Sequence, residues 1–194
     1  MDFVTICCVQ DMPLLKLQAR SMDLYLREFP TDRIIVVVNG WFKKFQNYLE
    51  TDIRPLYGHL SNKVEFISST DLITPSPNPN GYYTQMLLKI LAARMVTAKE
   101  YCMLDAKNFL FKPWQTSDVY QDHKLRVSYI KWITEEWTDH WQNSFAYYGL
   151  DYTEHKWFCQ LTPFFAHTEF IRTMIDDDLI NLFKQQIKVI EFAL

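Results

Sequence analysis

The chain has 194 residues, 48% hydrophobic and 22% charged, with a formal net charge of −3; this suits one domain with a single core and excludes a disordered chain. Four Gly and eight Pro exclude collagen-like or linker sequence. A pI near 5.9 removes the electrostatic case for general nucleic-acid binding, while leaving room for a local basic pocket for a small anion.

Phe3–Val9 is a short β-rich run. Asp11–Glu28 carries apolar residues at helical spacing, with Pro13 tolerable near its start. Arg33–Val38 is the clearest buried strand, closed by Asn39-Gly40. Trp41–Leu60 reads as a helix with a break near Pro55, and Lys63–Ser68 as a third strand. A proline- and asparagine-rich loop, Thr74–Gly81, leads into an almost wholly apolar helix, Tyr82–Lys99. Glu100–Leu104 is a fourth strand that ends abruptly at Asp105. Strands alternating with helices predict βαβ units and a doubly wound, mostly parallel α/β sheet.

Beyond Pro113 the pattern weakens. Leu125–Ile133 reads as a strand, and Thr134–Leu150 has no clean period. Leu161–Ala166 reads as a short strand, followed by a helix from His167 to about Asp176 and an amphipathic helix over Leu179–Phe192. A chain ending inside an element points to truncation or to a short family member. No run approaches the ~18 apolar residues of a membrane span. The start, Met1–Ile6, lacks the basic region of a secretory signal. The expected location is therefore the cytoplasm, with Cys7, Cys8, Cys102 and Cys159 as buried free thiols; none forms a CxxC pair or a zinc spacing.

In open parallel sheets ligands bind at the strand carboxyl ends. Those ends offer Gln10 and Asp11, then Asn39, then Ser68 to Asp71, then Asp105 to Asn108. Most of these are explained equally well as the polar start of a loop. Asp105 differs, because it is set between the apolar runs Tyr101–Leu104 and Phe109–Phe111; a carboxylate so placed needs a cation, a metal or several donors. Lys89 is the second singular residue. It shares a helical side with Gln85, Ala92 and Val96 in a helix that is apolar nearly all round. Either its stem snorkels to solvent or its ammonium meets an anion, for which Asp105 and a bound phosphate are the candidates.

The segments Gly81–Lys89 and Tyr101–Asn108 resemble the helix-plus-strand core of GT-A-type glycosyltransferases, and most nearly a group of small bacterial and phage glycosyltransferase-like proteins. The resemblance extends to Asp2–Val9, Ile34–Asn39 and Leu161–Phe170. It implies a GT-A-like, Rossmann-type sheet flanked by helices with a small irregular C-terminal part. It implies one domain over residues 1–194, with a nucleotide-sugar half (1–113) and an acceptor-side half (114–194). In that family a lysine on the helix approaches the diphosphate and a D-x-D motif holds a divalent metal; Lys89 and Asp105 match these roles.

This chain departs from the pattern at Lys107, which stands where the second acid would be, followed by Asn108. Lysine cannot ligate Mn2+ or Mg2+. Either Asp105 and Asn108 form a weaker oxygen site, or Lys107 supplies the positive charge in place of a metal, or only binding survives. The implied reaction is transfer of a sugar from a nucleotide diphosphate sugar to a glycan acceptor; the alternative is a non-catalytic nucleotide-sugar or glycan-binding module.

The expected catalytic residues are Asp105 and Lys107. The expected donor-binding residues are Lys89, Gln85, Asn108, Asn39 and Thr5, the last two near the nucleoside. An inverting course would also need a carboxylate base. Glu135, Glu136, Asp139, Asp151 and Glu154 are candidates, and each reads equally as surface acid. The nearby aromatics, Trp132 to Trp157, suit sugar stacking or plain burial. His123, His140, His155 and His167 have no ligand spacing and read as structural, and Asp176 to Asp178 as a charged helix junction.

Overall fold

A computed structural model describes residues 1–40, 42–73, 81–126, 129–130, 139, 142–143, 146, 149, 157–158 and 162–175. Strand β1 (Asp2–Cys8) is followed by helix α1 (Met12–Tyr25), β2 (Ile34–Asn39), α2 (Phe42–Tyr48), β3 (Val64–Ser68), α3 (Gly81–Leu91) and β4 (Glu100–Asp105). Next come a one-turn helix α4 (Thr116–Val119) and the paired strands β5 (Tyr120–Gln121) and β6 (Lys124–Leu125). Strands β7 (Tyr129–Ile130) and β8 (Trp157–Phe158) also pair, and β9 (Phe164–His167) leads into α5 (Thr168–Thr173).

The main sheet has the order β3-β2-β1-β4-β9. The first four strands are parallel and β9 runs antiparallel to β4. The fold is therefore α/β, with a mostly parallel sheet flanked by helices. β2 explains the centre: Ile34 to Val38 are all buried, and β-branched side chains suit a strand covered on both faces. Alternation sorts the faces. Phe3, Cys7, Ile34 and Val36 pack with Leu15 and Met22 of α1. Val4, Ile6, Ile35 and Val37 pack with Leu88 of α3 and, more peripherally, Ile171 of α5.

The structure corrects several element bounds. The helix expected through Lys99 stops at Leu91 and tightens into a 3-10 turn, Ala92–Arg94. Carbonyls in and just beyond that turn are taken by distant guanidinium groups. Arg172 donates to Ala93 O and Val96 O, and Arg33 to Met95 O, which also places positive charge at the negative end of the helix dipole. The expected Trp41–Leu60 helix ends as an α-helix at Tyr48. It widens to a π turn over Leu49–Ile53 and becomes 3-10 turns over Arg54–Lys63, because Pro55 has no N–H to continue the ladder. Of the strand expected over Leu125–Ile133, Leu125 ends β6 and Tyr129–Ile130 form β7, while residues 127, 128 and 131–133 lie outside the described residues. Thr134–Leu150 falls largely outside the described residues, and Asp176–Asp178 and Leu179–Phe192 entirely so. Cys7 and Cys102 are buried, Cys8 is half-buried, and all three are free thiols; Cys159 lies outside the described residues. Burial pushes the Cys7 thiol up to about 12. Among the described residues no helix is long and apolar enough to cross a membrane.

Gly58 closes the turns before β3 at φ 49°, ψ −117°, a conformation open almost only to glycine. A Cβ there would overlap the Asp23 carboxylate of α1, which accepts hydrogen bonds from the His59 backbone N at 3.1 Å and ring Nδ1 at 2.7 Å. Gly58→Ala is expected to cost about 2–3 kcal/mol, read as a lowered urea midpoint with unchanged slope. The His59 side-chain hydrogen bond holds the Asp23 carboxyl below its ordinary value. Its contribution is thus present above the unfolded pKa, near 3.9, and is lost as pH falls through the depressed folded one. Asp23→Asn should be less stable than the parent at pH 7, and the gap should close below about pH 4.

Candidate anion site at the strand carboxyl ends

The chain builds the sheet outward from β1 through β2 to β3, then crosses to the other side of β1 for β4. That reversal makes a topological switch point between β1 and β4, where a crevice opens beyond the strand carboxyl ends. Asp105, the last residue of β4, stands in register with Ile6 of β1 at this point.

Four side chains from three segments converge on the Asp105 carboxylate. Lys89 of α3 places Nζ 2.7 Å from Oδ1, with the pair only 12% and 15% exposed. Gln85, one turn earlier on the same helix side, donates its Nε2 to the same oxygen at 3.4 Å. Thr162 donates its hydroxyl to Oδ2 at 2.7 Å. Lys107 holds its ammonium 3.9 Å from Oδ2 and is 72% exposed. Lys89 is thus a satisfied internal cation, and Lys107 a loosely held one facing solvent. The three charges sum to +1.

The turn that carries Lys107 is closed reciprocally. Asn108 N donates to Asp105 O at 2.9 Å, and Asn108 Oδ1 accepts from Asp105 N at 2.7 Å. The Asn108 Nδ2 reaches Thr162 O at 3.2 Å. Behind the turn stands Gln18 of α1, 1% exposed. Its Nε2 donates to the carbonyls of Asp105 (2.8 Å) and Asn108 (2.9 Å), and its Oε1 accepts from Thr5 Oγ1 at 2.9 Å. Sequence reasoning missed Gln18 and Thr162. The signal for Gln18 was present, as a lone amide among Leu15, Ala19 and Met22 on the buried side of α1.

The structure therefore brings together Lys89, Asp105, Gln85, Lys107 and Asn108. Thr5 corrects the expectation of a nucleoside contact, because its side chain is fully buried and its hydroxyl is given to Gln18. Asn39 ends β2 opposite Cys8, two strands away from Asp105. Of the candidate bases, Asp139 is exposed, while Glu135, Glu136, Asp151 and Glu154 lie outside the described residues, as do Trp132, Trp137, Trp141, His140 and His155. His167 pairs with Glu100 at 3.2 Å, at the opposite end of β4.

Mn2+ or Mg2+ at Asp105 and Asn108 does not fit this donor set. Hard cations take several oxygen ligands, yet one Asp105 oxygen faces an ammonium, the other a hydroxyl, and the Asn108 oxygen already accepts a backbone N–H. Among the described residues no group of three or more His, Cys, Asp or Glu side chains could hold a metal.

The sequence matches a family of unknown function (DUF6492) over residues 7–187. No curated protein matches the chain. Among solved structures, the galactosyltransferase LgtC in complex with donor and acceptor sugar analogues is similar over 55% of this chain and 37% of its own, with 16% identity and a TM-score of 0.39. HddC from Yersinia pseudotuberculosis is similar over 54% of this chain and 47% of its own, with 17% identity and a TM-score of 0.35. The matched part thus spans less than half of each of those chains.

Removing Lys89 would leave a mostly buried carboxylate short of its cation. Lys89→Met is expected to cost about 2 kcal/mol in urea unfolding, with a coupling of about 1–3 kcal/mol in the cycle with Asp105→Asn. Gln18→Met removes the partner of the Asn108 carbonyl and of the buried Thr5 hydroxyl and should cost about as much.

Proposed function

The chain belongs to the DUF6492 family, and we propose that its strand-end cluster binds the diphosphate of a nucleotide sugar and that the protein transfers the sugar to a glycan acceptor. The observation that carries this reading is the Lys89–Asp105 pair with Lys107 beside it at the β1/β4 switch point. Such crevices are where open parallel sheets bind ligands, and the residues involved are those on which the sequence resembles GT-A-type glycosyltransferases.

Displacement at an anomeric carbon leaves charge on the departing diphosphate oxygen, so fixed positive charge there lowers the barrier. Lys107 is the group to provide it, being exposed and held at 3.9 Å rather than at close contact. Lys89, fixed by Asp105, adds a stationary positive charge beneath it. Asp105 orients both ammonium groups and, at the mouth of the crevice, contacts ribose or sugar. Asn108 and Gln85 hold this frame, and Asn39 lies toward the nucleoside. In this reading the lysines do the electrostatic work that a D-x-D metal does in the family resembled.

One observation favours a second reading, a binding module without turnover. Both Asp105 oxygens are already engaged, and among the described residues no further carboxylate joins the cluster.

A thermal-shift screen over nucleoside diphosphates and their sugars separates the readings. Stabilisation by a diphosphate should persist in EDTA and weaken about tenfold in Lys107→Ala, roughly the 1.4 kcal/mol of one charge-assisted contact. Binding abolished by EDTA would overturn the lysine assignment. Diphosphate release from a donor sugar, lost in Asp105→Asn with binding retained, marks the enzyme; stabilisation with no turnover over the whole donor panel marks the module. Lys107→Asp should create manganese dependence.

A further inference from the structure

A cavity of about 150 Å3 lies directly beside the Asp105 cluster. Its buried lining includes Met22 of α1 and Leu104 of β4, with Leu110 and Trp114 half-buried, and Phe109, Phe111 and Pro163 at its exposed rim. The polar groups in its wall are Gln18 and Asn108. Both are occupied elsewhere, Gln18 with the carbonyls of Asp105 and Asn108, and Asn108 with Asp105 and Thr162. An open apolar hollow of this size has room for a small hydrocarbon group, whose burial there removes apolar surface from water.

Two connections tie the hollow to the strand-end cluster. Asn108 serves both, closing the Asp105 turn on one side and lining the cavity on the other. Thr162 binds Asp105 Oδ2, and the next residue, Pro163, forms part of the cavity rim. The segment after Asn108 is pinned along α1, with Leu110 N donating to Ser21 Oγ at 3.0 Å and Trp114 N to Tyr25 O at 2.9 Å. This fixed path leaves Phe109 52% and Phe111 79% exposed. Two exposed phenyl rings at the mouth of an apolar hollow, one residue from a charged cluster, form the two halves of an amphiphile site.

We infer that this cavity receives the hydrocarbon part of an amphiphilic acceptor whose sugar end lies at the Asp105 cluster. The acceptor is thus a glycan carried on an alkyl, acyl or isoprenoid chain rather than a free sugar. This inference rests on the transferase reading for the word acceptor, and on the cavity alone for the apolar binding.

The probes are n-octyl β-glucoside, below its micellar concentration, and methyl β-glucoside, followed through tryptophan fluorescence and calorimetry. The octyl compound should bind at least tenfold more tightly, the gain from burying about two methylenes. Phe109→Ala with Phe111→Ala, both at exposed positions, should cut that gain to about threefold or less, and Leu110→Trp, which narrows the hollow, should do the same. Equal affinity for the two glycosides, or a gain unchanged in these variants, overturns the inference. So does Phe111-dependent sedimentation with phosphatidylglycerol vesicles in the absence of any octyl gain, which would make the rim a bilayer contact instead. UDP-induced stabilisation is measured on the same samples. An octyl gain without it supports the apolar site and sinks the nucleotide-sugar reading, whereas stabilisation without the gain does the reverse.

Discussion

A carboxylate at the inner end of a buried strand is stable only if its charge is answered, and at Asp105 the answer comes from three segments of the chain. Lys89 and Gln85 come from α3, Thr162 from the approach to β9, and Lys107 from the following turn. Charge-assisted contacts of this kind are stronger than neutral ones. One group therefore ties the flanking helix, the sheet edge and the strand-end turn into a single geometry. These contacts set where the flanking helix, the sheet edge and the turn stand around the crevice at the switch point.

Behind the charge stands a neutral amide that does as much positioning. Gln18 joins α1, β1 and the end of β4 by giving both hydrogens to carbonyls and its oxygen to Thr5. Full satisfaction makes a buried amide compatible with the apolar side of α1. It also fixes the turn so that Lys107 projects to solvent while Asn108 faces inward, dividing the turn between the charged cluster and the apolar hollow.

The parts legible in the sequence were those with a local contrast. β2 announced itself as an unbroken β-branched run, and Asp105 and Lys89 as charges in apolar surroundings; their meeting at 2.7 Å followed from an intolerance of buried unpaired charge. What stayed hidden was non-local. The end of α3 is set by Arg33 and Arg172, respectively about sixty residues before and eighty after the carbonyls they cap. Thr162 carries no distinguishing pattern of its own, and its role exists only because β9 folds back antiparallel on β4. Thr5 was read correctly as a strand residue but assigned to a ligand, since an alternating pattern does not tell which buried hydroxyl has an internal acceptor.

The two arginines at the end of α3 have a mechanical consequence. They fasten the chain just past the carboxyl end of the helix, about 15 Å from Gly81 at 1.5 Å per residue. Lys89 sits close to that anchor, two residues before the helix ends at Leu91. The internal cation is thus held from two sides, by the carboxylate in front of it and by the guanidinium contacts behind it.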